Sequence, residues 1–172
     1  MFDVNIKYGE VSISSVERED VKHIQLWYNS QKSFLYNSND YLGTNEFYER
    51  FLEYYMSECE IFLKIMKRNN IIGIFRGRIE FKNKNIVWVS CFSMESASLD
   101  NNEGNIILDK ILKYFLHNFG IEDFLIGVSV KDKKILNVLK NSGFQLVRIS
   151  NDFFMNESNN GNAVILKKKI CS

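Results

Sequence analysis

The sequence predicts an α+β fold, an α/β/α sandwich in which helices cover both faces of a mixed, mostly antiparallel sheet of about six to seven strands. Two observations predict this fold. Residues 61–94 contain three β segments joined by turns of a few residues, which is typical of an antiparallel meander. A strand, a helix and another strand then follow over residues 86–130, and this order implies a right-handed parallel crossover within the same sheet.

Size and charge limit what the chain can be. Its 172 residues suffice for one core of ordinary size, so we expect a single domain over residues 1–172. The 22 basic and 21 acidic residues give a formal net charge of +1, which provides no global field for binding nucleic acid or an anionic membrane. No apolar run approaches the ~20 residues that span a bilayer. We therefore expect a cytoplasmic protein whose partner is a small molecule or a protein.

The cysteine and histidine pattern does not indicate a metal site. The chain has three cysteines, Cys59, Cys91 and Cys171, and none of them forms a Cys-x-x-Cys pair. The two histidines, His23 and His117, lie far from the cysteines in sequence. Neither a zinc motif nor a disulfide framework follows from this spacing, and we expect no metal cofactor.

The N-terminal part is predicted to contain a strand followed by two helices. Residues 10–16 begin with the alternation of a strand, and an acidic turn then leads into a helix whose apolar face includes Trp27 and Tyr28. A polar stretch covers residues 29–43, after which Thr44 can cap the second helix. Aromatic residues recur at helical spacing along that helix: Phe47, Phe51, Tyr54 and Tyr55.

The middle of the chain is predicted to contain the meander and one long helix. Its strands and turns are predicted in this order: strand 61–66, turn 68–70, strand 71–81, turn 82–85 and strand 86–94. A loop at residues 95–103 leads into the helix, which ends at Gly120. Six residues form the apolar face of this helix: Ile107, Leu108, Ile111, Leu112, Phe115 and Phe119.

A strand and a helix follow. The near-continuous apolar run at residues 124–130 predicts the strand, Asp132 is expected to cap the helix, and Gly143 is expected to end it. The apolar side of the helix carries three residues: Ile135, Val138 and Leu139.

Two further strands, at residues 145–150 and 163–170, complete the sheet around a turn predicted at residues 159–162. We interpret the lysine run at residues 167–169 as the exposed end of the last strand.

Three stretches of the sequence are similar to the motifs of one enzyme family. Residues 92–105, FSMESASLDNNEGN, stand where that family has its fourth strand and the loop (Q/R)-x-x-G-x-(G/A). Residues 132–144, DKKILNVLKNSGF, are similar to its helix N-x-x-(A/S)-x-x-(L/V)-x-x-x-x-G-F. Residues 27–30, WYNS, precede an aromatic-rich helix as in one branch of the family. Over residues 10–150 the chain therefore resembles the GNAT superfamily of acyl-CoA N-acyltransferases, in particular its ribosomal-protein-alanine and polyamine acetyltransferase branch.

The resemblance implies a protein that binds acetyl-CoA as a co-substrate, without a metal, in the V between its fourth and fifth strands. It implies transfer of the acetyl group by direct attack of an amine that belongs to a small molecule or to a protein N-terminus. The alternative is a catalytically inactive GNAT-fold domain that senses a ligand or contacts a protein. Dimers are common in the family, so the resemblance also allows a homodimer.

The coenzyme loop can be aligned in two registers. In the first, Gly104 takes the last Gly/Ala position, Leu99 the Gln/Arg position and Asn102 the first glycine. In the second, Gly104 is the first glycine, with Asn101 and Ile106 at the flanking positions. We prefer the first because the family's buried helix positions then fall on apolar residues. The resemblance assigns coenzyme contacts to the following residues: Phe92, Ser93, Met94, Leu99, Asp100, Asn101, Asn102, Glu103, Gly104, Asn105, Asp132, Ile135 and Leu139.

Charges at this loop both favour and oppose the binding of a diphosphate. A helix N-terminus offers unpaired N–H groups and a partial positive charge to a diphosphate, and glycine lets the backbone approach closely. Asp100 and Glu103 oppose this, because like charges ~4 Å apart repel by about 1 kcal/mol in water and about 4 kcal/mol at an effective dielectric of 20. We therefore expect weakened coenzyme affinity. In the competing interpretation the acidic loop only caps an ordinary helix.

Acetyl transfer to an amine needs a base for the ammonium, donors for the oxyanion and an acid for the leaving thiolate. By the resemblance, the usual glutamate of the fourth strand is Val89 here, and the usual tyrosine of the last motif helix is Leu139. Glu95 is the candidate base, acting through water, although a solvated loop carboxylate is the simpler interpretation. Cys91 could act as a nucleophile, but an unpartnered strand cysteine is more often a small buried residue.

Trp27 and Tyr28 are the candidates for the acceptor site, although aromatic residues at helical spacing usually belong to the core. A third hypothesis is an unrelated α+β binding module. That hypothesis predicts no splayed strand pair and no slot beside residues 100–105.

Overall fold

The structure, a computed structural model, describes residues 2–31, 44–81, 85–100, 102–156 and 159–170. Within these residues it contains eight strands and five α-helices. The strands are β1 (Asn5–Tyr8), β2 (Val11–Ser15), β3 (Glu60–Lys67), β4 (Asn70–Glu80), β5 (Ile86–Met94), β6 (Asp123–Ser129), β7 (Gln145–Asn156) and β8 (Asn159–Lys169). The helices are α1 (Val21–Ser30), α2 (Thr44–Met56), α3 (Ser96–Asp100), α4 (Glu103–Phe119) and α5 (Lys133–Asn141).

The strands form one sheet in the order β1-β2-β3-β4-β5-β6-β8-β7. Neighbouring strands are antiparallel except β5 and β6, which α4 connects as a parallel crossover. The predicted fold class is confirmed, with one strand more than expected. The additional strand is β1, which the sequence pattern does not indicate because Asn5, Lys7 and Tyr8 are exposed and only Ile6 is partly buried.

The sheet separates two hydrophobic clusters. One cluster packs beneath α4 and α5, and the other packs beneath α1 and α2. Strand β3 shows the division, since Ile61 and Leu63 belong to the first cluster while Phe62, between them, belongs to the second. This alternation is what a strand with both faces buried requires. Helices on both faces, as the sequence predicts, are confirmed.

Helices α4 and α5 end and begin as the sequence predicts. Gly120 follows α4 with a φ of +63°, and Gly143 follows α5 with a φ of +83°. Both values lie in the left-handed region that glycine adopts most easily. The Asp132 carboxylate accepts a hydrogen bond from the N–H of Ile135 over 3.2 Å and so caps the start of α5.

The loop predicted at residues 95–103 is wrong in part, because α3 forms within it. The N–H groups of Ser98 and Leu99 donate to the carbonyl of Glu95 over 3.1 and 3.2 Å. A helix of five residues shows too little of a period to be recognised in a sequence. Its stability comes from packing against α4 and α5.

The turn predicted at residues 159–162 is also wrong. Residues 159–162 belong to the start of β8, and Asn156 at the end of β7 pairs with Asn159. The reason is that a two-stranded ladder is held by backbone groups, which pair whether or not the side chains alternate between apolar and polar.

The lysine run at residues 167–169 is not simply an exposed strand end. Residues 167–169 of β8 pair with β6, and their lysine side chains meet carboxylates of neighbouring elements. The ion pairs are Lys167 with Asp123 at 3.1 Å, Lys168 with Asp109 at 4.0 Å and Lys169 with Glu122 at 3.6 Å.

Among the described residues, no helix has the length and apolarity needed to cross a membrane. The His, Cys, Asp and Glu side chains of that part of the chain form no group of three or more that could hold a metal ion.

Candidate functional site

Strands β5 and β6 separate partway along their length. Their parallel ladder has four residue pairs, from Ile86 opposite Asp123 to Val89 opposite Ile126, and ends there. On its other side β5 pairs with β4, where Cys91 lies opposite Arg76 and Val89 opposite Gly77, so that Ser90 is an extra residue. Such a bulge bends a strand. The two strands therefore splay into a V just beyond the bulge.

Beyond Ser90 the side chains of β5 alternate between the two faces of the sheet. Phe92 and Met94 are buried in the cluster beneath α4, and Cys91 packs against the cluster beneath α1 and α2. Ser93 is also buried, with 6% of its surface exposed. Phe92, Ser93 and Met94, which the sequence assigns to the coenzyme site, thus line one arm of the V through their backbone.

The entry into α4 has an unusual backbone. Asn102 precedes the helix with a φ of +59° and makes no capping bond with its side chain. This left-handed conformation favours glycine, and asparagine is one of the few other residues that tolerate it. The conformation agrees with the register that places Asn102 at the first glycine of the family loop.

Gly104 is buried beneath its neighbours. A Cβ atom on Gly104 would stand 3.1 Å from Leu99 Cδ2, 3.6 Å from Met94 Sδ and 3.8 Å from Val138 Cγ1. Leu99, which the preferred register places at the Gln/Arg position of the loop, therefore packs on Gly104. Glycine at position 104 allows α3, α4 and α5 to meet closely.

The negative charge of Glu103, in the first turn of α4, is compensated by an ion pair. Its carboxylate accepts a bond from Lys67 Nζ at 2.7 Å, across from the end of β3. Burial disfavours the ionised form, but the hydrogen bonds from Lys67 and Ser98 outweigh it and lower the pKa of Glu103. Lys67 therefore offsets the repulsion that we expected from Glu103. The side chain of Asp100, and Asn101 as a whole, lie outside the described residues.

Asn105 connects α4 to α5. Its side-chain amide donates to the carbonyl of Val138 at 2.7 Å and to Ser142 Oγ at 2.8 Å. These bonds hold the last turn of α5 against the first turn of α4. The predicted contact residue Asn105 thus positions one wall of the pocket described next.

A pocket of about 270 Å³ lies between the start of α4 and the side of α5. Its lining is Leu99, Asn102, Asn105, Lys134, Asn137, Val138 and Asn141. Three of these residues belong to the predicted set, and four do not. The four on α5 are spaced i, i+3, i+4 and i+7, so they form one face of that helix. This spacing was visible in the sequence, but nothing there shows which face of α5 meets α4.

The predicted contact residues on α5 lie elsewhere. Ile135 and Leu139 are in the core, 7% and 0% exposed. Asp132 is half-buried at the N-terminus of α5, where burial raises the pKa of its carboxyl despite the bond from the Ile135 N–H. These three residues therefore lie beneath or beside the pocket, and their roles toward a coenzyme stay predictions.

A second pocket, of about 600 Å³, lies on the α1 side of the sheet, near the end of β5. Its lining is Asp20, His23, Trp27, Met66, Asn69, Asn70, Ile71 and Glu95. The structure thus brings the candidate base, Glu95, and one candidate acceptor residue, Trp27, to the same pocket. Tyr28 instead packs against Phe47, with ring centroids 6.3 Å apart.

Several polar groups surround this second pocket. The N–H of Glu95 donates to the carbonyl of Ile72 at 2.8 Å, which holds the backbone of Glu95 at the end of the sheet. The indole Nε1 of Trp27 is buried and has no hydrogen-bond partner among the described residues. Asp20 is ion-paired with Lys64. His23, three residues after Asp20 on α1, was not predicted, although the spacing of residues 20, 23 and 27 places them on one helix face.

Cys91 does not have the properties of an activated nucleophile. Burial raises the pKa of its thiol, and the nearby Arg76 does not reverse this shift. A thiol with a raised pKa holds little thiolate at neutral pH. The structure thus supports the interpretation of Cys91 as a small packing residue, partly buried against the cluster beneath α1 and α2.

The chain was compared with known proteins by sequence and by structure. A family model described as the acetyltransferase (GNAT) domain matches residues 13–162. No curated protein sequence matches the chain at a significant level.

Solved structures share its fold at low sequence identity. The spermidine N-acetyltransferase of Vibrio cholerae, in complex with CoA and spermine, is 13% identical, with a TM-score of 0.79 over 93% of this chain and 95% of the other. An acetyltransferase of Salmonella typhimurium that modifies the N-terminal serine of ribosomal protein L7/L12 is 12% identical, with a TM-score of 0.83 over 95% and 97% of the two chains. The microcin C7 self-immunity acetyltransferase, in complex with acetyl-CoA and AMP, is 17% identical, with a TM-score of 0.79 over 95% and 94%.

The family model covers far more than half of the sequence. Strands β5 and β6, which correspond to the family's fourth and fifth strands, separate as the resemblance implies. The chain belongs to the GNAT acetyltransferase family.

Proposed function

We propose that the protein is an N-acetyltransferase that uses acetyl-CoA and transfers the acetyl group directly to an amine of a small molecule or of a protein N-terminus. The observation that carries this proposal is the V between β5 and β6, which has a polar pocket beside α4 and α5 and a second pocket around Glu95 on the other face of the sheet. A reaction between two bound substrates requires two sites that meet at the reacting atoms.

The coenzyme would enter from the side of α4 and α5. Its diphosphate would lie at the first turn of α4, where N–H groups and the helix dipole favour an anion. Its pantetheine arm would run into the V, along the backbone of β5 beyond Ser90. Structures of two neighbours contain CoA or acetyl-CoA, which supports this choice of co-substrate.

The acceptor amine would enter from the second pocket. Glu95 would take a proton from the ammonium, directly or through water, so that the amine can attack the thioester carbonyl. Backbone N–H groups of β5 beyond Val89 would stabilise the oxyanion. The C–N bond would form first, the nitrogen would then lose its second proton to solvent, and the C–S bond would break as the oxyanion collapses. The thiolate would take a proton from solvent, which gives the amide and free CoA. Neighbours of known acceptor act on a polyamine and on a protein N-terminus, which supports an amine acceptor here.

Calorimetric titration with acetyl-CoA and CoA tests the first half of the proposal. Binding at micromolar to millimolar concentration is expected, and no binding at millimolar concentration would contradict it. An assay of thiol release with a panel of amines tests the second half. Coenzyme binding without thiol release for polyamines, aminoglycosides and peptide N-termini would instead indicate a catalytically inactive domain.

A further inference from the structure

The coenzyme loop of this chain, residues 95–105, contains no lysine or arginine. Leu99 stands at the position where the family has Gln or Arg, and its side chain packs on Gly104. A diphosphate carries two negative charges near neutral pH, and backbone N–H groups alone supply only partial charges. If the coenzyme binds here, a cation from another element is needed.

One lysine lies at the right place. Lys134 lines the pocket between α4 and α5, together with four asparagines: Asn102, Asn105, Asn137 and Asn141. Its ammonium donates to Ser96 Oγ on α3, so it reaches from α5 across toward α3, which precedes the start of α4. Among the described residues that line this pocket, Lys134 is the one cation and no carboxylate is present.

We propose that Lys134 binds the coenzyme phosphates and so supplies a cation that the loop itself does not contain, and that Ser96 positions its side chain. This proposal rests on the proposed function, since it names the residue that receives the coenzyme of that reaction.

Three features support the proposal. An ammonium has three N–H donors, so a lysine that is held by protein partners such as Ser96 can still donate to a phosphate oxygen. The two residues lie 38 positions apart, on α5 and α3, and their bond holds the lysine at the start of α3. Glu103, a carboxylate within the first turn of α4, is paired with Lys67, so it repels a bound phosphate only weakly. We expect the diphosphate to be the group bound, because Asn102 and Asn105 place the pocket at that turn.

The chain offers a matched control. Lys133 precedes Lys134 on the same helix turn, is exposed, and does not line the pocket. K134Q and K133Q therefore remove the same charge from the same helix, and because both lysines are exposed, we expect circular dichroism and the thermal midpoint to match wild type.

The experiment compares the affinities of wild type, K134Q, K133Q and K134R for acetyl-CoA, 3′-dephospho-acetyl-CoA and acetyl-pantetheine. A lost charge-assisted contact to phosphate is expected to weaken acetyl-CoA binding about tenfold or more in K134Q. K133Q should bind like wild type, K134R should retain most of the affinity, and acetyl-pantetheine, which has no phosphate diester, should bind K134Q and wild type equally. The K134Q defect should persist with 3′-dephospho-acetyl-CoA if the diphosphate is bound, and a defect that disappears with this analogue would move the assignment to the 3′-phosphate.

Two results would overturn the assignment while leaving the proposed function intact. One is equal binding of acetyl-CoA by K134Q and wild type, and the other is an equal loss for acetyl-pantetheine. If wild type itself binds none of the three compounds, the proposed function fails and the assignment fails with it. S96A adds a readout of positioning, since it should weaken acetyl-CoA binding less than K134Q and leave acetyl-pantetheine unaffected.

Discussion

The side chain of Leu99 covers Gly104, so that a Cβ atom on Gly104 would stand 3.1 Å from Leu99 Cδ2. This contact joins α3 to the first turn of α4. The pocket beside it is bounded by Leu99 itself. The shape of the pocket therefore depends on where Leu99 lies.

Replacement of Gly104 by alanine tests this dependence. Alanine gains about 0.5–1 kcal/mol over glycine within a helix, but the new methyl group pushes Leu99 toward the pocket. We expect G104A to change the free energy of unfolding in urea by less than about 1 kcal/mol while weakening acetyl-CoA binding several-fold. The double variant G104A/L99A should recover the affinity relative to G104A. An affinity of G104A equal to that of wild type would show that Leu99 can move away without filling the pocket.

The ion pair between Lys67 and Glu103 predicts a charge effect on the coenzyme. K67M leaves the Glu103 carboxylate without its partner beside the proposed diphosphate position, so acetyl-CoA should bind more weakly. K67M/E103Q removes both charges and should restore the affinity, because the repulsion is then gone. Calorimetry of wild type, both single variants and the double variant gives this comparison. Equal affinity of all four proteins would place the diphosphate away from Glu103.

The same pair makes a contribution to stability that depends on pH. The pKa of Glu103 is lower in the folded protein than the ordinary pKa of a glutamate side chain. Its contribution is therefore present above the unfolded pKa and is lost as pH falls through the folded pKa. Since Lys67 is partly exposed, we expect only about 0.5 kcal/mol at neutral pH. Urea unfolding of wild type and E103Q between neutral pH and acidic pH should converge at the acidic end.

Glu95 is the residue whose loss should reduce turnover most directly. If it is the base, E95Q should lower kcat by about 100-fold or more, the usual range for general base catalysis. The acidic limb of the pH–rate profile should disappear with it, and binding of acetyl-CoA should stay unchanged. E80Q, on the neighbouring strand β4, is the control. A modest effect of E95Q with an unchanged pH profile would assign the proton transfer to solvent or to His23.

Asp132 combines a capping bond with a raised pKa, and two variants separate these effects. D132N keeps an oxygen acceptor for the Ile135 N–H, whereas D132A loses the cap and should cost about 1 kcal/mol of stability. The pKa of Asp132 is higher in the folded protein than in the unfolded chain. Wild type therefore loses stability as the pH rises from the unfolded-state pKa of Asp132 through its folded-state pKa. D132N cannot ionise at this position and should lack that loss. Unfolding free energies measured across this acidic range check both expectations. If D132N and D132A prove equally unstable, the capping role is excluded.

Several features of the fold could be predicted from sequence because they are local. Gly120 and Gly143 end helices with positive φ, and Asp132 caps α5, as their residue types indicate. Strand β1, helix α3 and the long β7–β8 hairpin could not be predicted in the same way. Their stability comes from pairing or packing with other segments, and their own side chains show little periodicity.

In the candidate site, too, some features could be predicted from the sequence and others only from the structure. The sequence alone indicates the family, the region around Gly104 and the carboxylate Glu95, because motif residues keep a fixed spacing along the chain. Only the tertiary structure shows that Lys67 pairs with Glu103 and that Lys134 reaches Ser96. These partners lie 36 and 38 residues apart, and no local pattern connects them. Their contacts depend on how β3, α3, α4 and α5 pack together, since the direction of a side chain toward a distant partner is set by that packing and not by its neighbours in sequence.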